Sequence, residues 1–490
     1  MYIGIDAGTS GIKAVLVDEA QAVLAKRTVG LSSRSPHPGW SEQEPADWWG
    51  ALFDAVDGLR AEQPAAVAAV RGIGLSGQQH GAVLLDAAGQ VLRPCILWND
   101  VRSSAECDVF EQRFPDSRSV CGNIAMPGFT APKLIWVARH EPEIFDAVRH
   151  VLLPKAWLRY RLSGEMIEDM SDASGTLWQD VGRRRWSDDA LAATGLTRAA
   201  MPALCEGTAQ AGRLTRALAA RWGMAVPPIL AGGAGDNAAG AVGLGAVREG
   251  DAFVSLGTSG VVWATTERFR PRPESAIHAF CHAVPEMWHQ MGVTLSAASC
   301  LAWWAEVAGR DEAALLAELP ERVTAPSGVL FLPYLSGERT PHNDAAIRGA
   351  FVGLDRASTR ADMTQAVLEG VAFSFRDALD GLASAGSVLR QADVIGGGSR
   401  SAAWVSILAS VMDIPLHRLA HGEQGGAFGA ARLARLAATG ECVADICLPP
   451  ERIATVAPDA ALREAYGPVL ARYRALYPAL SGLSPRRGAA

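Results

Sequence analysis

Two stretches of this chain share one pattern, in which short apolar strands flank a polar turn. In the first stretch Ile3 and Ile5 precede the turn and apolar residues from Ile12 to Val17 follow it, which predicts a β-hairpin. The turn itself, Asp6-Ala7-Gly8-Thr9-Ser10-Gly11, offers glycines, hydroxyls, backbone amides and a carboxylate. Such a turn suits a phosphate and its metal ion, although ordinary hairpin turns favour the same residues.

The same pattern returns about half a chain later. An apolar strand that begins near Ala252 leads into Gly257-Thr258-Ser259-Gly260, and a second apolar strand follows. The two copies differ at one position, because Asp6 of the first corresponds to Ser255 of the second. Only the first copy therefore keeps the carboxylate that a phosphate-bridging Mg²⁺ would need. The repeat predicts two lobes of similar architecture, each presenting one hairpin.

Polar turns also follow other apolar strands of the first half. The run from Val70 to Leu75 leads into a turn that carries Gln79 and His80. Another apolar run ends in Leu97-Trp98-Asn99-Asp100-Val101-Arg102, which is where open α/β sheets place ligand contacts. Glycines 72, 74 and 77 match a dinucleotide-binding spacing, but a strand rather than a helix follows them, so that interpretation is rejected.

Asp236 lies at a predicted junction between a strand and a helix. The apolar run from Pro228 to Ala231 passes through glycines into Asp236-Asn237, and small residues at helical spacing follow. A carboxylate at such a junction commonly caps the helix. Capping and catalysis are compatible for one carboxylate, so both roles remain open at this point.

The second half contains two glycine-rich turns between strands and helices. Gly396-Gly397-Gly398 follows the strand at Val394, and Gln424-Gly425-Gly426 precedes another predicted helix. Together they form a surface on which a flat base and a ribose can lie. Tight packing of helices on strands would explain the same glycines.

Composition and charge exclude several classes of protein. At 490 residues, 49% hydrophobic and 20% charged, the chain fits two large globular lobes. A net charge of −7 argues against nucleic acid as a partner, because no cluster of basic residues offsets it. Met1 leads directly into a strand and no apolar run reaches the length of a membrane span, so we expect a soluble protein without a membrane partner.

Cysteine usage points to a reducing compartment. Eight cysteines are scattered without Cys-x-x-Cys spacing, which is typical of cytoplasmic proteins. His278, Cys281 and His282 lie close in sequence, but the segment is strand-like and lacks a fourth ligand. The sequence therefore predicts no zinc site there.

Two longer stretches bring in a known family. Residues 128–140, around Pro132-Lys133-Leu134-Ile135-Trp136, and residues 349–369 resemble the two signatures of the FGGY carbohydrate kinases. Shorter similarities include Met170-Ser171-Asp172-Ala173 and the loop from Ser336 to His342. The resemblance implies an α/β fold of two duplicated actin-like (ribonuclease H-like) ATPase lobes with a central cleft. It also implies ATP and Mg²⁺ as cofactors, a small-molecule sugar as substrate, and a homodimer.

The resemblance assigns roles to individual residues. Asp236 would be the catalytic base, and Asp6 would be a second catalytic residue that holds Mg²⁺, through water. The residues implied for sugar binding are Gln79, His80, Asp100, Arg102, Asp236 and Asn237. The residues implied for ATP binding are Gly8, Thr9, Ser10, Lys13, Gly257, Thr258, Ser259, Gly397, Gly398, Gln424, Gly425 and Gly426.

The resemblance also sets expectations for the substrate and the domains. The turns at His80 and Asp236 favour D-xylulose over glycerol as the sugar, while ribulose or a pentitol remains an alternative because Gln79 departs from the expected Met. An alternative from another class is an actin-like or chaperone-like ATP clamp without a sugar substrate. We expect one lobe over residues 1–247, the other over 248–480, and a disordered tail over 481–490.

Overall fold

The computed structural model describes residues 1–320, 322–420 and 425–483. The strands of the first half are β1 Tyr2–Ala7, β2 Gly11–Val17, β3 Val23–Gly30, β4 Glu42–Gln43, β5 Gly72–Gly77, β6 Val83–Leu85, β7 Cys95–Ile96, β8 His150–Leu152, β9 Ile167–Asp169, β10 Gln179–Asp180, β11 Arg185–Trp186, β12 Ala203–Cys205, β13 Gln210–Arg213, β14 Ile229–Ala231 and β15 Ala234–Gly235. The helices of this half are α1 Pro45–Glu62, α2 Pro64–Ala68, α3 Ser104–Arg113, α4 Ser117–Cys121, α5 Thr130–His140, α6 Pro142–Ala147, α7 Pro154–Ser163, α8 Met170–Ser174, α9 Asp188–Ala193, α10 Arg216–Arg221 and α11 Asp236–Leu244.

The second half repeats this alternation of strands and helices. Its strands are β16 Ala252–Leu256, β17 Gly260–Thr266, β18 His278–Cys281, β19 Trp288–Thr294, β20 Leu330–Leu332, β21 Ala350–Val352, β22 Ala392–Ile395, β23 Leu416–Leu419 and β24 Arg452–Val456. Its helices are α12 Ala298–Ala308, α13 Glu312–Ala317, α14 Arg360–Ser384, α15 Ala402–Met412, α16 Gly425–Thr439, α17 Val443–Ile446 and α18 Ala460–Leu480.

The main sheets of the two halves have the same plan. In the first half the strands run in the order β13-β14-β5-β1-β2-β3, with β1, β2 and β3 antiparallel and β1, β5 and β14 parallel. In the second half the order is β18-β19-β17-β16-β22-β23-β24, with β16, β17 and β19 antiparallel and β16, β22 and β23 parallel. Each sheet therefore joins an antiparallel hairpin to parallel strands that are followed by helices. The predicted duplicated, actin-like α/β architecture is confirmed.

Helix α16 comes from the second half of the chain but packs against the first sheet. Glycines allow this approach, because a Cβ atom on Gly4 would lie 1.8 Å from the carbonyl oxygen of Ala427. A Cβ on Gly74 would likewise lie 1.9 Å from the carbonyl oxygen of Ala430. A larger side chain at either position would force two backbone segments apart. The close packing also brings the start of α16 next to the end of β1.

The connection between the halves runs from the end of α11 at Leu244 to the start of β16 at Ala252. The predicted boundary between residues 247 and 248 falls in this connection and remains a prediction. Residues 481–483 form a turn after α18, and residues 484–490 of the predicted disordered tail lie outside the described residues. Within the described part of the chain, no helix is both long enough and apolar enough to span a membrane.

Candidate active site

The first hairpin turn lies between β1 and β2, as predicted. The Gly8 amide donates a hydrogen bond of 3.0 Å to the carbonyl three residues further on, which closes the turn. Ser10 is exposed at its tip, and Lys13 pairs with Asp6 across the two strands. Amides, hydroxyls and an ammonium group are thus presented together. Phosphate binding by Gly8, Thr9, Ser10 and Lys13 remains a prediction.

Thr9 is held in place by side chains from three other segments. Its hydroxyl donates to Gln78 Oε1 at 3.0 Å and accepts from the indole of Trp98 at 2.9 Å. Its carbonyl accepts from Gln43 Nε2 at 2.7 Å. Trp98 is absent from the residues predicted from sequence, although it lies in the same polar stretch as Asp100. These bonds limit the movement of the turn before any ligand binds.

Asp6 is a half-buried carboxylate near the end of β1. The Ser76 hydroxyl donates to its Oδ1 at 2.7 Å. Burial raises the pKa of Asp6, while the Ser76 hydrogen bond and the charge of Lys13 oppose that rise. Gly426, in the first turn of α16, packs so closely that a Cβ atom there would lie 2.9 Å from Asp6 Oδ1. The start of α16 therefore forms one wall of the space around this carboxylate.

Asp236 is the first residue of α11, and it does not cap that helix. Gly235 occupies the capping position, so the capping interpretation of Asp236 is wrong. Its Oδ1 instead accepts hydrogen bonds from the backbone amide and the side-chain amide of Asn237, at 2.7 and 2.9 Å. Burial, and then the nearby charge of Asp6, raise the pKa of Asp236 to about 6. The structure thus brings the two predicted catalytic carboxylates close enough to influence each other.

Two groups of carboxylates are candidate sites for a cation. Asp6 and Asp236 offer the hard oxygen ligands that Mg²⁺ prefers, and their mutual repulsion leaves negative charge for a cation to neutralise. Glu168 and Asp169, with Asp172, also converge. The ammonium group of Lys155, however, lies 2.6 Å from Glu168 and 2.7 Å from Asp169. The chain itself supplies the cation for this second group, so Asp6 and Asp236 fit the metal better.

The short helix α8 connects the turn that carries Gln79 and His80 to the turn that carries Asp236. Gln79 Nε2 donates to the carbonyl of Ser171 at 3.1 Å. The Ser171 hydroxyl accepts from the Gly235 amide at 3.1 Å and donates to the carboxylate of Asp169. Ser171 is absent from the residues predicted from sequence, and its only signal there is its place in a family-like stretch. Ser171 therefore fixes the position of Gly235, the residue that precedes Asp236.

His80 adopts a left-handed backbone conformation, with φ of 71°, in the turn after β5. Its Nδ1 lies 2.6 Å from the carbonyl oxygen of Gly175. Because a carbonyl only accepts, Nδ1 carries the proton and the lone pair is on Nε2. Burial lowers the pKa of His80 to about 3, so the imidazole is neutral at pH 7. Thr130 and Lys133 of α5 donate to the His80 carbonyl at 3.1 and 2.9 Å and hold the turn.

Asp100 and Arg102, two of the predicted sugar-binding residues, form a buried ion pair with each other. Arg102 Nε lies 2.9 Å from Asp100 Oδ1, and a second guanidinium nitrogen lies 2.7 Å from Oδ2. Asp100 also accepts from the Ser41 amide at 2.6 Å, while Arg102 contacts Glu42 at 2.7 Å and stacks over Trp40. Both side chains are about 1% exposed. Each has partners within the protein, and contact with a sugar remains a prediction for both.

The second hairpin turn, between β16 and β17, rests on the start of α12. The Gly257 carbonyl accepts from the Ala298 amide at 2.7 Å, and the Thr258 carbonyl accepts from the Ser299 hydroxyl at 2.8 Å. Thr258 and Ser259 are exposed at the tip. Like the first turn, this one is anchored from behind while its polar groups remain available. Its predicted contacts with ATP are untested.

A cavity of about 700 Å³ opens between the two halves of the chain. Lys13 and Lys26 of β2 and β3 line one side. Gly396 and Ser399, which follow β22, line the other side together with Phe428 of α16. A basic wall facing a glycine turn and an aromatic ring suits a nucleotide, whose phosphates carry negative charge and whose base is flat.

The predicted adenosine-side glycines fall next to this cavity. Gly397 and Gly398 begin a 3₁₀ turn directly after Gly396, which has a φ of 89°. Gly425 and Gly426 begin α16. Gln424 lies outside the described residues. Contacts of these residues with the adenosine of ATP remain a prediction.

Comparison with known proteins gives consistent matches over the chain. The FGGY family of carbohydrate kinases matches with its N-terminal domain over residues 1–243 and with its C-terminal domain over residues 252–438. Xylulose kinase of Escherichia coli (strain K12) is 48% identical over 479 residues, which cover 98% of this chain and 96% of that protein. Xylulose kinase of Klebsiella pneumoniae is 49% identical over 438 residues, which cover 89% of this chain and 90% of that protein.

The structural match is equally extensive. The crystal structure of a xyloylose kinase from Brucella ovis is 54% identical in sequence and superposes with a TM-score of 0.96. The match covers 99% of this chain and 100% of that one. The two domain matches fall on the two halves of the chain, in agreement with the duplicated fold. The chain belongs to the FGGY family of carbohydrate kinases.

Proposed function

We propose that this chain transfers the γ-phosphoryl group of ATP to D-xylulose and forms D-xylulose 5-phosphate. Membership of a carbohydrate kinase family implies ATP and a small-molecule sugar. The narrower choice of sugar rests on relatives that are xylulose kinases. The observation that carries the proposed chemistry is Asp236, a half-buried carboxylate whose pKa is raised to about 6 beside a second carboxylate.

Asp236 is the group that receives the proton of the sugar. Its pKa lies just below neutrality, so at pH 7 it is mostly ionised and its affinity for a proton is greater than that of an ordinary aspartate. As the sugar oxygen forms its bond to phosphorus, the O–H proton passes to an Asp236 oxygen. The bond between the γ-phosphorus and the bridging oxygen breaks, and ADP carries away that electron pair.

We assign the metal to Asp6, through water, with Asp236 nearby. When bound, Mg²⁺ would supply positive charge to offset the charge of the phosphate oxygens. Hydrogen bonds with other segments anchor both hairpin turns, through the Thr9 hydroxyl in the first and the Thr258 carbonyl in the second, so the turn amides are already positioned for phosphate oxygens. Lys13 adds a positive charge beside the first turn.

His80 orients the sugar in this proposal. Its Nδ1 proton is committed to Gly175, so its Nε2 lone pair can accept a hydrogen bond from a sugar hydroxyl. The neutral state is stable across the physiological range, because the pKa of His80 is lowered to about 3. Asn237 lies beside Asp236 and can contact a neighbouring sugar oxygen.

We further propose a cytoplasmic, homodimeric enzyme. All eight cysteines are free thiols, which agrees with a reducing compartment. The homodimer follows from the family resemblance, and light scattering of the purified protein would measure it.

A coupled assay of ADP release across a panel of sugars tests the function. With MgATP present, kcat/KM should be highest for D-xylulose and lower for ribulose, a pentitol and glycerol. A value for ribulose or glycerol that equals or exceeds the value for D-xylulose would refute the choice of sugar. An ATPase that ignores every sugar would instead favour the ATP-clamp alternative.

A further inference from the structure

Arg339 is presented from the second half of the chain by a firmly anchored loop. The Glu338 carboxylate accepts from the Leu295 amide at 2.9 Å and from the Arg339 amide at 2.7 Å. On the other side, the Thr340 hydroxyl accepts from the Val293 amide at 2.9 Å. Hydrogen bonds between side chains and backbone amides on both sides of Arg339 therefore fix the position from which its side chain extends. The loop belongs to a family-like stretch, but the sequence alone assigns Arg339 no role.

Among the residues that the structure describes, one polar side chain lies within hydrogen-bond distance of the Arg339 guanidinium. Its NH1 group lies 3.5 Å from Nε2 of His278, at the outer limit of a hydrogen bond. His278 Nδ1 lies 2.8 Å from Oδ1 of Asn123, whose own amide donates to two backbone carbonyls. Asn123 Oδ1 therefore accepts, Nδ1 of His278 carries the proton, and Nε2 presents its lone pair to Arg339. Burial keeps the pKa of His278 well below its usual range, so this imidazole carries no charge.

Arg339 shares an aromatic cluster with the proposed sugar ligand His80. The ring of His278 lies 5.7 Å from that of Phe129, and Phe129 lies 4.7 Å from the ring of His80. Phe280 contacts all three rings. The charge of Arg339 also contributes to lowering the pKa of His80, after burial and the charge of Lys133. The guanidinium and the sugar-side imidazole thus lie at two ends of one compact group.

The positive charge of Arg339 has no counter-charge at contact distance. In the described part of the chain, no carboxylate oxygen lies within 4.0 Å of its guanidinium, and the side chain is only partly exposed. Burial lowers the pKa of Arg339, and the charge of Glu338 in the same loop opposes that change only from beyond contact distance. A desolvated cation without a carboxylate in contact is unfavourable in a folded protein unless a ligand supplies acceptors. Arg102 shows the contrast, because its guanidinium contacts both Asp100 and Glu42.

We propose that Arg339 is a sugar-binding and specificity-determining residue, which donates hydrogen bonds from the second lobe to oxygens of the sugar held by His80. The inference deepens the proposed function and rests on it. The planar guanidinium suits two neighbouring oxygens, such as the carbonyl and an adjacent hydroxyl of a ketose. Because His80 belongs to the first lobe, sugar binding would then link the two lobes directly.

The test compares the wild type with Arg339→Gln, Arg339→Lys and the matched control Arg463→Gln. Arg463 is an exposed arginine of α18 paired with Asp413. D-xylulose binding is measured by isothermal titration without nucleotide, ATP binding separately, and kcat and KM by ADP release. Because the lost hydrogen bonds come from a charged donor, Arg339→Gln should weaken D-xylulose binding about 10- to 100-fold. The affinity of Arg339→Gln for ATP should change less than threefold. The control Arg463→Gln should keep its affinities for both ligands within the same limit.

The Lys variant keeps the charge but loses the planar fork, so its sugar affinity should fall between those of wild type and Arg339→Gln. If circular dichroism shows that Arg339→Gln does not fold, the sugar affinity of Arg339→Lys tests the proposal instead. Sugar affinity within threefold of wild type in a folded variant, or a loss confined to ATP, would overturn the inference. If the wild type binds another sugar in place of D-xylulose, the choice of sugar fails, and the same comparison with that sugar decides the role of Arg339.

Discussion

Replacing Asp236 with asparagine separates proton transfer from packing. Asparagine has a similar size, and its oxygen can still accept the hydrogen bonds of 2.7 and 2.9 Å that Asn237 donates to Asp236. It cannot accept the proton of the sugar hydroxyl. A positioned general base contributes about 10²–10⁴-fold to turnover, so Asp236→Asn should lose kcat by about that factor and still bind D-xylulose and ATP.

The same change should stabilise the protein at neutral pH. Burial and the charge of Asp6 raise the pKa of Asp236 from 3.8 to about 6, so the folded state binds the proton more tightly than the unfolded chain. The stability contributed by the protonated carboxyl is complete below about pH 4 and is lost as pH rises to about 6. At about 1.4 kcal/mol per pKa unit, the ionised carboxylate costs the fold up to about 3 kcal/mol at pH 7, less the share that solvent screens. Asparagine removes this cost.

Turnover at saturating substrates and thermal melting at pH 4 and pH 7 test both statements. Asp236→Asn should melt above the wild type at pH 7, and the difference should shrink at pH 4. Asp236→Ala should lose turnover similarly and should lose no helix cap, because Gly235 occupies that position. A kcat for Asp236→Asn within a few-fold of wild type would eliminate the base role. A lower melting temperature than wild type at pH 7 would refute the electrostatic reasoning.

Three further predictions address the sugar site, the lobe contact and closure. His80→Ala should raise the KM for D-xylulose and leave ATP affinity nearly unchanged, as titration with each ligand would show; loss of ATP binding in a folded variant would contradict this. Gly74→Ala should destabilise the protein by about 1–3 kcal/mol or more in chemical denaturation, because its Cβ would lie 1.9 Å from the Ala430 carbonyl oxygen; an unchanged midpoint would speak against that packing. D-xylulose with a non-hydrolysable ATP analogue should reduce the radius of gyration in small-angle scattering, because the hairpin turns lie on different sheets; an unchanged radius would count against closure.

Elements whose signals are local could be predicted from the chain. The alternation of apolar residues around Gly8-Thr9-Ser10-Gly11 predicts the hairpin that the structure contains, and the repeat at Thr258 predicts the second. The long helix α14 begins after Thr359, whose hydroxyl and the Asp362 carboxylate form a capping box. Such features depend on residues a few positions apart, so the printed sequence contains all the information they need.

The surroundings of the predicted sugar-binding residues were harder to predict. Asp100 and Arg102 are polar residues after an apolar run, where a ligand contact is expected, yet they bind each other and contact Ser41 and Glu42. Arg339, by contrast, has no local signal for sugar binding. Whether a charged side chain faces a protein partner or a cleft depends on segments far away in the chain.

Periodicity, turn chemistry and the family-like stretches were enough for the two-lobe architecture, the hairpin turns and the candidate base. Only the tertiary structure decided the protonation states and tautomers of the site residues, because both depend on burial and on neighbours that are distant in sequence. Burial, and then the charge of Asp6, raise the pKa of Asp236, although these two aspartates lie at opposite ends of the first half of the chain. Gly175 sets the tautomer of His80 in the same way. Local patterns act through the backbone over a few residues, whereas charge and hydrogen bonding act through space.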